Sequence, residues 1–359
     1  MIILGDIAVP NKELAGSLKK TLQTNGQIFR DQKVIFNLEG LISNNQSSKT
    51  ETPILFNHPS LLEIMIKNSG GPVVALANNH TLDLPEQFDY SESLFNEEDI
   101  PFTGAGRSDD EAASPAFFNE QGEDLILFNL CWDFLLYHQK NPSAGVHVAE
   151  IEELKILEQI ADCRANYPEA SIVIYFHWSL DLETLPFPMY RLFSRALIDA
   201  GANLVAGCHS HCVQGGEKHK DGYIVYGLGN FYIPWDVYAN GRLRFPEFSK
   251  TAMALEWDPR KNKAICHWFE YREEDKSLVL KNSELFDESS VLKHFSAFDG
   301  MSDSEYGKYF RENRRKSFLI PVYKNHEDVL KNKILTFLLK LRAKTARKLA
   351  EINVIKWQS

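Results

Sequence analysis

Short apolar runs alternate with amphipathic stretches over the first 231 residues of the chain. Apolar runs of about four to eight residues between turn residues are typical of buried strands, and an apolar period near 3.6 is typical of helices. The predicted strands are Ile2–Leu4, Val34–Asn37, Val73–Ala77, Leu125–Leu130, Ile172–Phe176, Leu204–Ala206 and Tyr223–Tyr226. The predicted helices are Lys12–Thr24, Pro59–Lys67, Pro85–Asn96, Glu150–Asn166 and Pro188–Ala200. This alternation predicts an α/β protein.

The later part of the chain has a different pattern. Apolar and polar residues alternate within Thr251–Trp257 and within Lys263–Tyr271. A short turn-rich segment joins the two, so the pattern predicts a β-hairpin. The polar segment Ser43–Thr52 predicts a surface loop near the site described below. We therefore divide the chain into a main domain of residues 1–280 and a helical, basic C-terminal extension of residues 281–359.

The end of the extension, from Glu327 to Trp357, predicts an amphipathic helix with two interpretations. Its apolar residues at near-helical spacing are Leu330, Ile334, Phe337, Leu338, Leu341 and Leu349. The interspersed basic residues are Lys331, Lys340, Arg342, Lys344, Arg347 and Lys348. Such a helix rests on an anionic membrane surface or packs on the body of the protein. The length of the apolar stripe favours packing, and both interpretations stay open.

Composition and charge narrow the function classes. With 44% hydrophobic and 25% charged residues among 359, the chain is neither disordered nor fibrous. The net charge is −10, but residues 305–359 carry 14 Lys and Arg against 5 Asp and Glu. The acidic remainder argues against nonspecific binding of nucleic acid, because phosphates are repelled. An anionic substrate would need a local positive centre.

Cysteine use and hydropathy predict a cytoplasmic protein, with peripheral membrane contact through the basic helix as the alternative. The five cysteines are odd in number and lack C-x-x-C spacing, which argues against a disulfide framework. No apolar run approaches the roughly 18–20 residues that span a bilayer. The start of the chain lacks the cationic and apolar regions of a signal peptide.

Polar side chains that metals favour follow several of the predicted strands. They are Asp6, Glu39, the run Asn78-Asn79-His80, His177, and the pair His209 and His211. Ligand sites of open α/β sheets form at the carboxyl ends of the strands, so we expect these side chains to converge. A single Gly-Asp or Asn-Asn-His segment is more often a turn or a helix cap. Agreement at five strand ends favours a metal centre.

Carboxylate oxygen combined with neutral histidine nitrogen is typical of Mn, Zn or Fe, whereas Ca and Mg prefer nearly all oxygen. The sequence therefore predicts one or two divalent ions of the first kind. Glu39 can bridge two ions through its two oxygens. His209 and His211 can serve different ions if the backbone between them turns.

These residues lie in an ordered set of short motifs. The motifs are Gly5-Asp6, Asn37-Leu38-Glu39, Ala77-Asn78-Asn79-His80, Gly104-Ala105-Gly106, His177-Trp178, Gly207-x-His209-x-His211 and Gly227-Leu228-Gly229-Asn230-Phe231. The set resembles the CapA-type capsule-synthesis proteins, which are associated with poly-γ-glutamate and related to calcineurin-like metallophosphoesterases. The resemblance covers about residues 1–231. It implies a four-layer α/β sandwich with a dinuclear metal centre.

The resemblance also implies a role for each residue. Asp6 and His211 would bind the first metal, and Glu39 would bridge the two. The second metal would be bound by Asn79, His177 and His209. His80 would act as a proton donor or stabilise the transition state, and Asp181 is the second candidate catalytic residue.

Three positions depart from the related patterns. Ala8 stands where the wider group of metallophosphoesterases has histidine, so the first metal site lacks a ligand. Glu39 replaces an aspartate at the bridging position. Ser179-Leu180-Asp181 replaces the Gly-x-Glu of the capsule proteins, which shortens the carboxylate by a methylene and bears on substrate choice.

The predicted function is that of a metal-dependent hydrolase or transferase in capsule or cell-surface polymer synthesis. Metal-activated water would attack a phosphoester or an amide-type bond. The resemblance implies an anionic polymer or a phosphorylated or carboxylate substrate, and partners among capsule-synthesis proteins. The alternative is a non-catalytic, metal-binding partner in a polymer-synthesis assembly.

Some other features have two interpretations. Cys208 and Cys212 flank the histidine pair and could ligate zinc, but small buried side chains are the more common case. Four aromatic residues follow site residues and could line a pocket or pack in the core: Trp178, Phe231, Tyr232 and Trp235. Gly104-Ala105-Gly106 could bind an anion through its backbone, although a Gly-x-Gly motif alone also occurs in many other settings.

Overall fold

The computed structural model describes residues 1–44, 54–137 and 145–351. Its strands are β1 (Ile2–Ile7), β2 (Val34–Leu38), β3 (Pro72–Ala75), β4 (Phe102–Thr103), β5 (Ala105–Gly106), β6 (Ala116–Glu120), β7 (Glu123–Cys131), β8 (His147–Val148), β9 (Ser171–His177), β10 (Leu204–Cys208), β11 (Gly216–His219), β12 (Gly222–Val225), β13 (Asn230–Tyr232), β14 (Thr251–Asp258), β15 (Lys263–Arg272) and β16 (Ser277–Leu285). Its helices are α1 (Lys12–Thr24), α2 (Gly26–Phe29), α3 (Ser60–Asn68), α4 (Phe88–Glu97), α5 (Asp109–Ala113), α6 (Asp133–Leu136), α7 (Glu153–Asn166), α8 (Pro188–Asp199), α9 (Tyr238–Gly241), α10 (Ser290–Phe295), α11 (Asp303–Asn313) and α12 (Val329–Glu351).

The strands form two large sheets and a small one. The first sheet has the order β16-β15-β14-β1-β2-β3-β4, and β13 also pairs with β1. Its strands β1 to β4 are parallel, and β14, β15 and β16 add an antiparallel meander. The second sheet has the order β11-β12-β10-β9-β7-β6 and is parallel except at its two edge strands. Strands β5 and β8 pair separately.

Three apolar cores show that the layers are helix, sheet, sheet, helix. The core between the two sheets joins side chains of β1 and β2 with side chains of β9 and β10, among them Ile3, Ile35, Val173 and Ala206. The outer face of the first sheet is covered by α1, α3 and α4. The outer face of the second is covered by α7, α8, α11 and α12. The expected four-layer α/β sandwich is therefore confirmed.

Local sequence explains where several of these elements begin. Helix α1 begins after Asn11, whose side-chain oxygen accepts the backbone N–H of Leu14 at 3.0 Å. Leu14, Leu18 and Leu22 recur at the helical period and are buried against the sheet. Helix α8 begins at Pro188, which needs no hydrogen-bond acceptor in the first turn.

The predicted strands, helices and hairpin are all present, with ends shifted by a few residues. The pattern did not predict the short strands β4, β5, β8 and β13 or the edge strands β6, β11 and β16. Residues 45–52 of the predicted surface loop lie outside the described residues, as do residues 352–357 of the predicted C-terminal helix. The division at residue 280 stays a prediction, and that residue lies within β16.

After β16 the chain forms α10, α11 and α12, which lie against the second sheet. Leu339 and Ala343 of α12 are buried there, and Lys340 donates a 2.8 Å hydrogen bond to Asp133 of α6. Helix α12 thus packs on the body through these residues, and not through the apolar stripe that the sequence pattern singles out. No helix within the described ranges is long and apolar enough to cross a membrane.

Candidate metal centre

The carboxyl ends of β1, β2 and β3 in the first sheet meet those of β9 and β10 in the second. Asp6 lies near the end of β1, Glu39 follows β2, and Asn79 and His80 lie in the turn after β3. His177 is the last residue of β9, and His209 and His211 follow β10. Asp181 lies in the loop after β9. The contacts described below join all eight predicted residues into one cluster.

Asp6 links the two sheets at the centre of this cluster. Its carboxylate accepts a hydrogen bond from the Asn37 side chain at 2.8 Å and another from the backbone N–H of His209 at 3.1 Å. Burial raises the pKa of Asp6, although His211 and these hydrogen bonds act in the opposite direction. Gly5 precedes it because a Cβ there would lie 1.9 Å from the carbonyl oxygen of Gly229.

Glu39 is buried without a hydrogen-bond partner. Its side chain is 0% exposed, and among the described residues nothing donates to either carboxylate oxygen. Burial raises its pKa well above the ordinary value, and the nearby carboxylates Asp6, Asp181 and Asp83 raise it further. A buried carboxylate normally has hydrogen-bond partners, so two free oxygens beside other acids fit a bound cation.

Three overlapping groups of side chains have the spacing of a metal site. In each group the candidate ligand atoms lie within 4.8 Å of one another. The groups are Asp6, Glu39 and His211; Asp181, His209 and His211; and Asp6, His177 and Cys208. Asp6 and His211 each belong to two groups, which suits neighbouring ions with shared ligands. Asp181, predicted as a catalytic residue, lies among the candidate ligands.

Burial favours the neutral, metal-binding form of two histidines of the second sheet, His177 and His209. Burial lowers the pKa of His177 well below the usual value, and the neighbouring histidines His209, His211 and His80 lower it further. Burial likewise lowers the pKa of His209 to about 4, although Asp181 raises it. Neutral imidazole is the form that ligates a metal, so both residues are ready to bind near neutral pH.

Several candidate ligands also contact one another. His177 Nε2 lies 2.7 Å from the Asn79 side-chain oxygen, and His209 Nε2 lies 3.1 Å from an Asp181 oxygen. His211 Nδ1 lies 2.8 Å from the Asn230 side-chain oxygen. These contacts fix the orientation of each ring.

The backbone between the paired histidines turns, as the use of both rings requires. His209 has φ 89° and His211 has φ 55°, values that residues with a Cβ rarely adopt. The turn separates the two ring centroids by 5.7 Å. Unfavourable dihedrals of this kind concentrate at functional sites, where the surrounding structure holds them in place.

His80 lies between two carboxylates at the edge of the cluster. Its Nδ1 is 2.6 Å from Asp83, and its Nε2 is 3.7 Å from Glu39. Burial lowers the pKa of His80, but Asp83 and the other nearby acids outweigh burial and raise it overall. His80 is thus set up to carry a proton.

Sequence reasoning assigned no role to three supporting residues of the cluster, Asn37, Asp83 and Asn230, and named Asn78 only as part of the run that ends in His80. Asn37 and Asn78 hydrogen-bond to each other at 3.0 Å and connect Asp6 to the turn that carries His80. Asn37, Asn78 and Asn230 stand inside the quoted motifs, which is the signal that could have identified them. Asp83 had no such signal.

Cys212 and the four aromatic residues singled out in the sequence pack inside the structure, whereas Cys208 also belongs to one candidate ligand group. Burial raises the pKa of Cys208 well above its ordinary value and that of Cys212 to about 12. They donate to the carbonyl oxygens of Phe176 and Glu183 at 3.3 and 3.2 Å. The aromatic residues singled out in the sequence are all in the core: Trp178, Phe231, Tyr232 and Trp235.

The Gly104 segment packs against its neighbours and does not form an open cradle. Gly104 has φ +99°, and a Cβ there would lie 2.5 Å from the backbone nitrogen of Ala77. The glycine therefore lets this segment approach the end of the neighbouring strand.

Solved structures similar to this chain include two 5'-nucleotidases. A putative enzyme from Staphylococcus aureus has a TM-score of 0.43 at 12% identity, over 82% of this chain and 56% of its own. The enzyme from Candida albicans has a TM-score of 0.43 at 13% identity, over 87% of this chain and 56% of its own.

Sequence comparison identifies a family and two curated relatives. The family described as bacterial capsule synthesis protein PGA_cap matches residues 9–234, which include every predicted site residue except Asp6. The capsule biosynthesis protein CapA of Bacillus anthracis is 26% identical over 169 residues, or 46% of this chain and 41% of the relative. The PGA biosynthesis protein CapA of Bacillus subtilis is 26% identical over 172 residues, or 46% of this chain and 44% of the relative. The matches thus span less than half the length of these relatives.

Proposed function

The chain belongs to the bacterial capsule synthesis protein family PGA_cap, and we propose that it is a metal-dependent hydrolase or transferase in the synthesis of a capsule or another cell-surface polymer. The observation that carries the proposal is Glu39, a buried carboxylate beside Asp6 and His211 whose two oxygens accept no hydrogen bond within the described residues. Burial and the neighbouring acids disfavour the ionised form of Glu39, which a bound cation would stabilise.

We propose that Asp6, Glu39, His177, His209 and His211 hold one or two divalent ions, with Mn, Zn or Fe as the candidates. The mixed set of carboxylate oxygen and imidazole nitrogen favours these metals over Ca and Mg. Ions held there would polarise the bond that is attacked and acidify a water molecule. The remaining chemistry belongs to the side chains around them.

His80 supplies the proton in this proposal. Asp83 accepts a hydrogen bond from Nδ1 and so directs Nε2 towards Glu39 and the centre of the cluster. The nearby acids raise the pKa of His80 in spite of burial, which favours the protonated form that a proton donor needs. His80 would donate this proton to the leaving oxygen or nitrogen. Asp181 would orient His209 and the substrate side of the site.

The names of the family and of one relative support a proposal for the substrate class. The Bacillus subtilis relative is named for PGA biosynthesis, and the family name refers to capsule synthesis. We therefore propose an anionic substrate, either phosphorylated or carboxylate-rich, in which a phosphoester or a γ-glutamyl amide bond is cleaved or transferred. Capsule-synthesis proteins are the proposed partners.

The test is turnover of phosphate mono- and diesters and of γ-glutamyl peptides, with Mn or Zn supplied. We expect His80→Ala to reduce turnover by about 10²–10⁴-fold while metal content stays unchanged. Glu97→Gln, an exposed acid on α4, is the matched control and should behave like the native protein. Turnover that is unaffected by His80→Ala would contradict the proposed role.

A second candidate function is a non-catalytic, metal-binding member of a polymer-synthesis assembly. The direct contacts His177–Asn79 and His209–Asp181 favour it, because these side chains satisfy each other without an ion. Ala8 also leaves the first site one ligand short of the related pattern. Metal binding with no turnover on the whole substrate panel would select this alternative.

A further inference from the structure

A short basic segment of the extension lies beside the candidate centre. This strap, Arg314–Lys316, follows α11 and is held by Glu183, a buried residue of the loop after β9. The Glu183 carboxylate accepts the backbone N–H groups of Arg315 and Lys316 at 3.2 and 3.0 Å. It also accepts those of Thr184 and Leu185. The position of the strap is therefore fixed by its backbone, which leaves the side chains of Arg315 and Lys316 available for other contacts.

Glu183 ties the strap to the segment that carries the paired histidines. Its backbone carbonyl accepts hydrogen bonds from the Gln214 side chain at 2.7 Å and from Cys212 Sγ at 3.2 Å. Two residues earlier in the same loop, Asp181 contacts His209. The strap and the candidate ligands are thus positioned by one hydrogen-bonded loop.

Two of the three cationic residues of the strap, Arg315 and Lys316, are the ones whose backbone Glu183 binds. The Arg315 guanidinium lies 4.4 Å from the centre of the Phe248 ring, and Phe245 in the same segment lies 4.7 Å from the His211 ring. Lys316 is partly exposed and forms no ion pair within the described ranges. The backbone of Lys316 is bound to Glu183, two residues after Asp181, so Lys316 lies beside the loop that carries this candidate ligand.

The charge around the centre explains why this position matters. The residues before 305 carry 25 Lys and Arg against 44 Asp and Glu, and Asp6, Glu39 and Asp181 converge at the site itself. An anionic substrate is repelled by such a surface unless cations are placed locally. Metal ions bound there would neutralise part of this charge, and Arg315 and Lys316 of the strap add two more positive groups.

We propose that Arg315 and Lys316 form the anion-binding rim of the centre and hold a phosphate or carboxylate group of the substrate. The proposal rests on the proposed function and adds a specificity element outside the family-matched residues 9–234. Arg315 would contact two oxygens through its planar guanidinium, and Lys316 would act as a single positive charge.

The test is binding of inorganic phosphate, measured by titration calorimetry on the full chain loaded with Mn. We expect Lys316→Met to weaken phosphate binding about fivefold, with a similar loss for Arg315→Gln. Lys316→Arg should restore most of the affinity. Lys308→Met, an exposed lysine on α11, is the control and should bind phosphate like the native protein. Metal content is measured in each variant.

Unchanged phosphate affinity in Lys316→Met and Arg315→Gln, with normal metal content, would overturn the rim proposal alone. A native protein that binds no divalent metal would overturn the proposed function as well. Affinity that falls in both rim variants and returns in Lys316→Arg supports the proposal.

An independent observation concerns the outer face of α12. Leu330, Ile334, Phe337, Leu338 and Leu341 are 45–75% exposed. At 3.6 residues per turn they fall within an arc of about 100° on the side opposite the buried Leu339 and Ala343. Arg342 donates to the Phe318 carbonyl at 2.9 Å, which places Phe318 and Leu319, both more than 70% exposed, beside this apolar stripe.

Basic residues border the apolar stripe on both sides. At the helical period, Lys331 and Arg342 fall on one border and Lys333 and Lys344 on the other. The described part of α12 has one acidic residue, Glu351, at its end. Apolar side chains between two rows of cations are complementary to a bilayer surface with anionic headgroups.

We infer that the outer face of α12, with Phe318 and Leu319, rests on an anionic lipid surface. The apolar side chains would enter the interface, and the lysines and arginines would contact lipid phosphates. The inference uses contacts and charges that are separate from those of the rim.

The test is co-sedimentation of the full chain with vesicles of phosphatidylcholine alone and with about one third phosphatidylglycerol. We expect binding to the anionic vesicles, and its loss in the double variant Ile334→Gln, Phe337→Gln. Phe117→Gln removes an exposed aromatic residue on β6 and should leave binding unchanged. Failure of the native protein to sediment with anionic vesicles would overturn the inference. So would a self-associated native protein that the double variant makes monomeric.

Discussion

Two buried glutamates, Glu39 in the candidate centre and Glu183 beside the strap, are shielded from solvent to the same degree. Glu39 is 0% exposed and Glu183 is 1% exposed. The oxygens of Glu183 accept four backbone N–H groups, whereas those of Glu39 accept none within the described residues. A buried carboxylate whose hydrogen bonds are all made stabilises the fold, whereas one that accepts none fits the proposed binding of a cation. The comparison separates structural charge from functional charge in one molecule.

The largest expected effect is the loss of stability when Glu183, the hydrogen-bonded glutamate, is replaced. Glu183→Ala leaves buried N–H groups of the strap and its loop without an acceptor, so we expect a loss of about 3 kcal/mol in the free energy of unfolding. Urea denaturation measures the loss, which should be equal with and without divalent metal. Glu312→Ala, an exposed residue on α11, should change little. If Glu183→Ala lost stability only when metal is present, the distinction between a structural Glu183 and a metal-binding Glu39 would be contradicted.

The packing of α12 on the body provides a second test of structural residues, again through the stability of variants. Leu339 is buried against the body and Leu338 is half-exposed on the opposite face. We expect Leu339→Ala to reduce the free energy of unfolding by about 2 kcal/mol and Leu338→Ala by less than about 0.5 kcal/mol. Thermal and urea unfolding of the pair measure this difference. Equal losses would show that the packing face has been assigned incorrectly.

Substitution of Glu39 in the candidate centre is expected to raise the stability of the metal-free protein as pH rises, whereas substitution of Glu183 lowers stability. Burial raises the pKa of Glu39 well above 4.5, so the metal-free folded protein binds a proton there that the unfolded chain has released. Its contribution to stability therefore falls as pH rises above 4.5, by up to about 1.4 kcal/mol per pH unit. Glu39→Gln has no carboxyl group at this position, so it should not show this decrease in stability with rising pH.

The measurement compares chelator-treated native protein and Glu39→Gln in urea at about pH 5 and about pH 8. We expect Glu39→Gln to gain stability relative to the native protein as pH rises, and to lose the stabilisation that added metal gives the native protein. Glu312→Gln should follow the native protein at both pH values. If Glu39→Gln also follows it, the carboxylate is not the uncompensated charge that we infer.

The smallest effect concerns the proton on His80. Burial lowers the pKa of His80, and Asp83 is the largest influence that raises it. Asp83→Asn should therefore lower this pKa and move the alkaline limit of turnover to lower pH, because His80 loses its proton earlier. The pH profile of turnover measures this shift, with Glu97→Gln as the control. An unchanged alkaline limit would mean that another group donates the proton.

Much of the main domain could be predicted from local pattern. Helix α1 has both predicted ends, because Asn11 caps it and the leucines follow a strict helical period. The convergence of strand-end residues such as Asp6 and His177 follows from parallel topology, which the alternation of strands and helices indicates. Family resemblance then supplied the individual roles.

The contacts of the extension could not be predicted in this way. Glu183 and Lys316 are 133 positions apart, and no local period connects them. The sequence pattern favoured packing through the apolar stripe of α12 but left it open, and in the structure Ile334 and Phe337 of the stripe are exposed while Leu339 is buried. A helix with two apolar faces gives no local signal for the face that contacts the body.

The central claim is that these scattered residues hold divalent ions, and elemental analysis of protein purified without chelators tests it most directly. The account predicts one or two Mn, Zn or Fe ions per chain. It predicts their loss in Glu39→Ala and His209→Ala, which remain folded, and their retention in Glu183→Ala. A native protein that stays metal-free after exposure to Mn and Zn, or a Glu39→Ala protein with its full metal content, would contradict the claim.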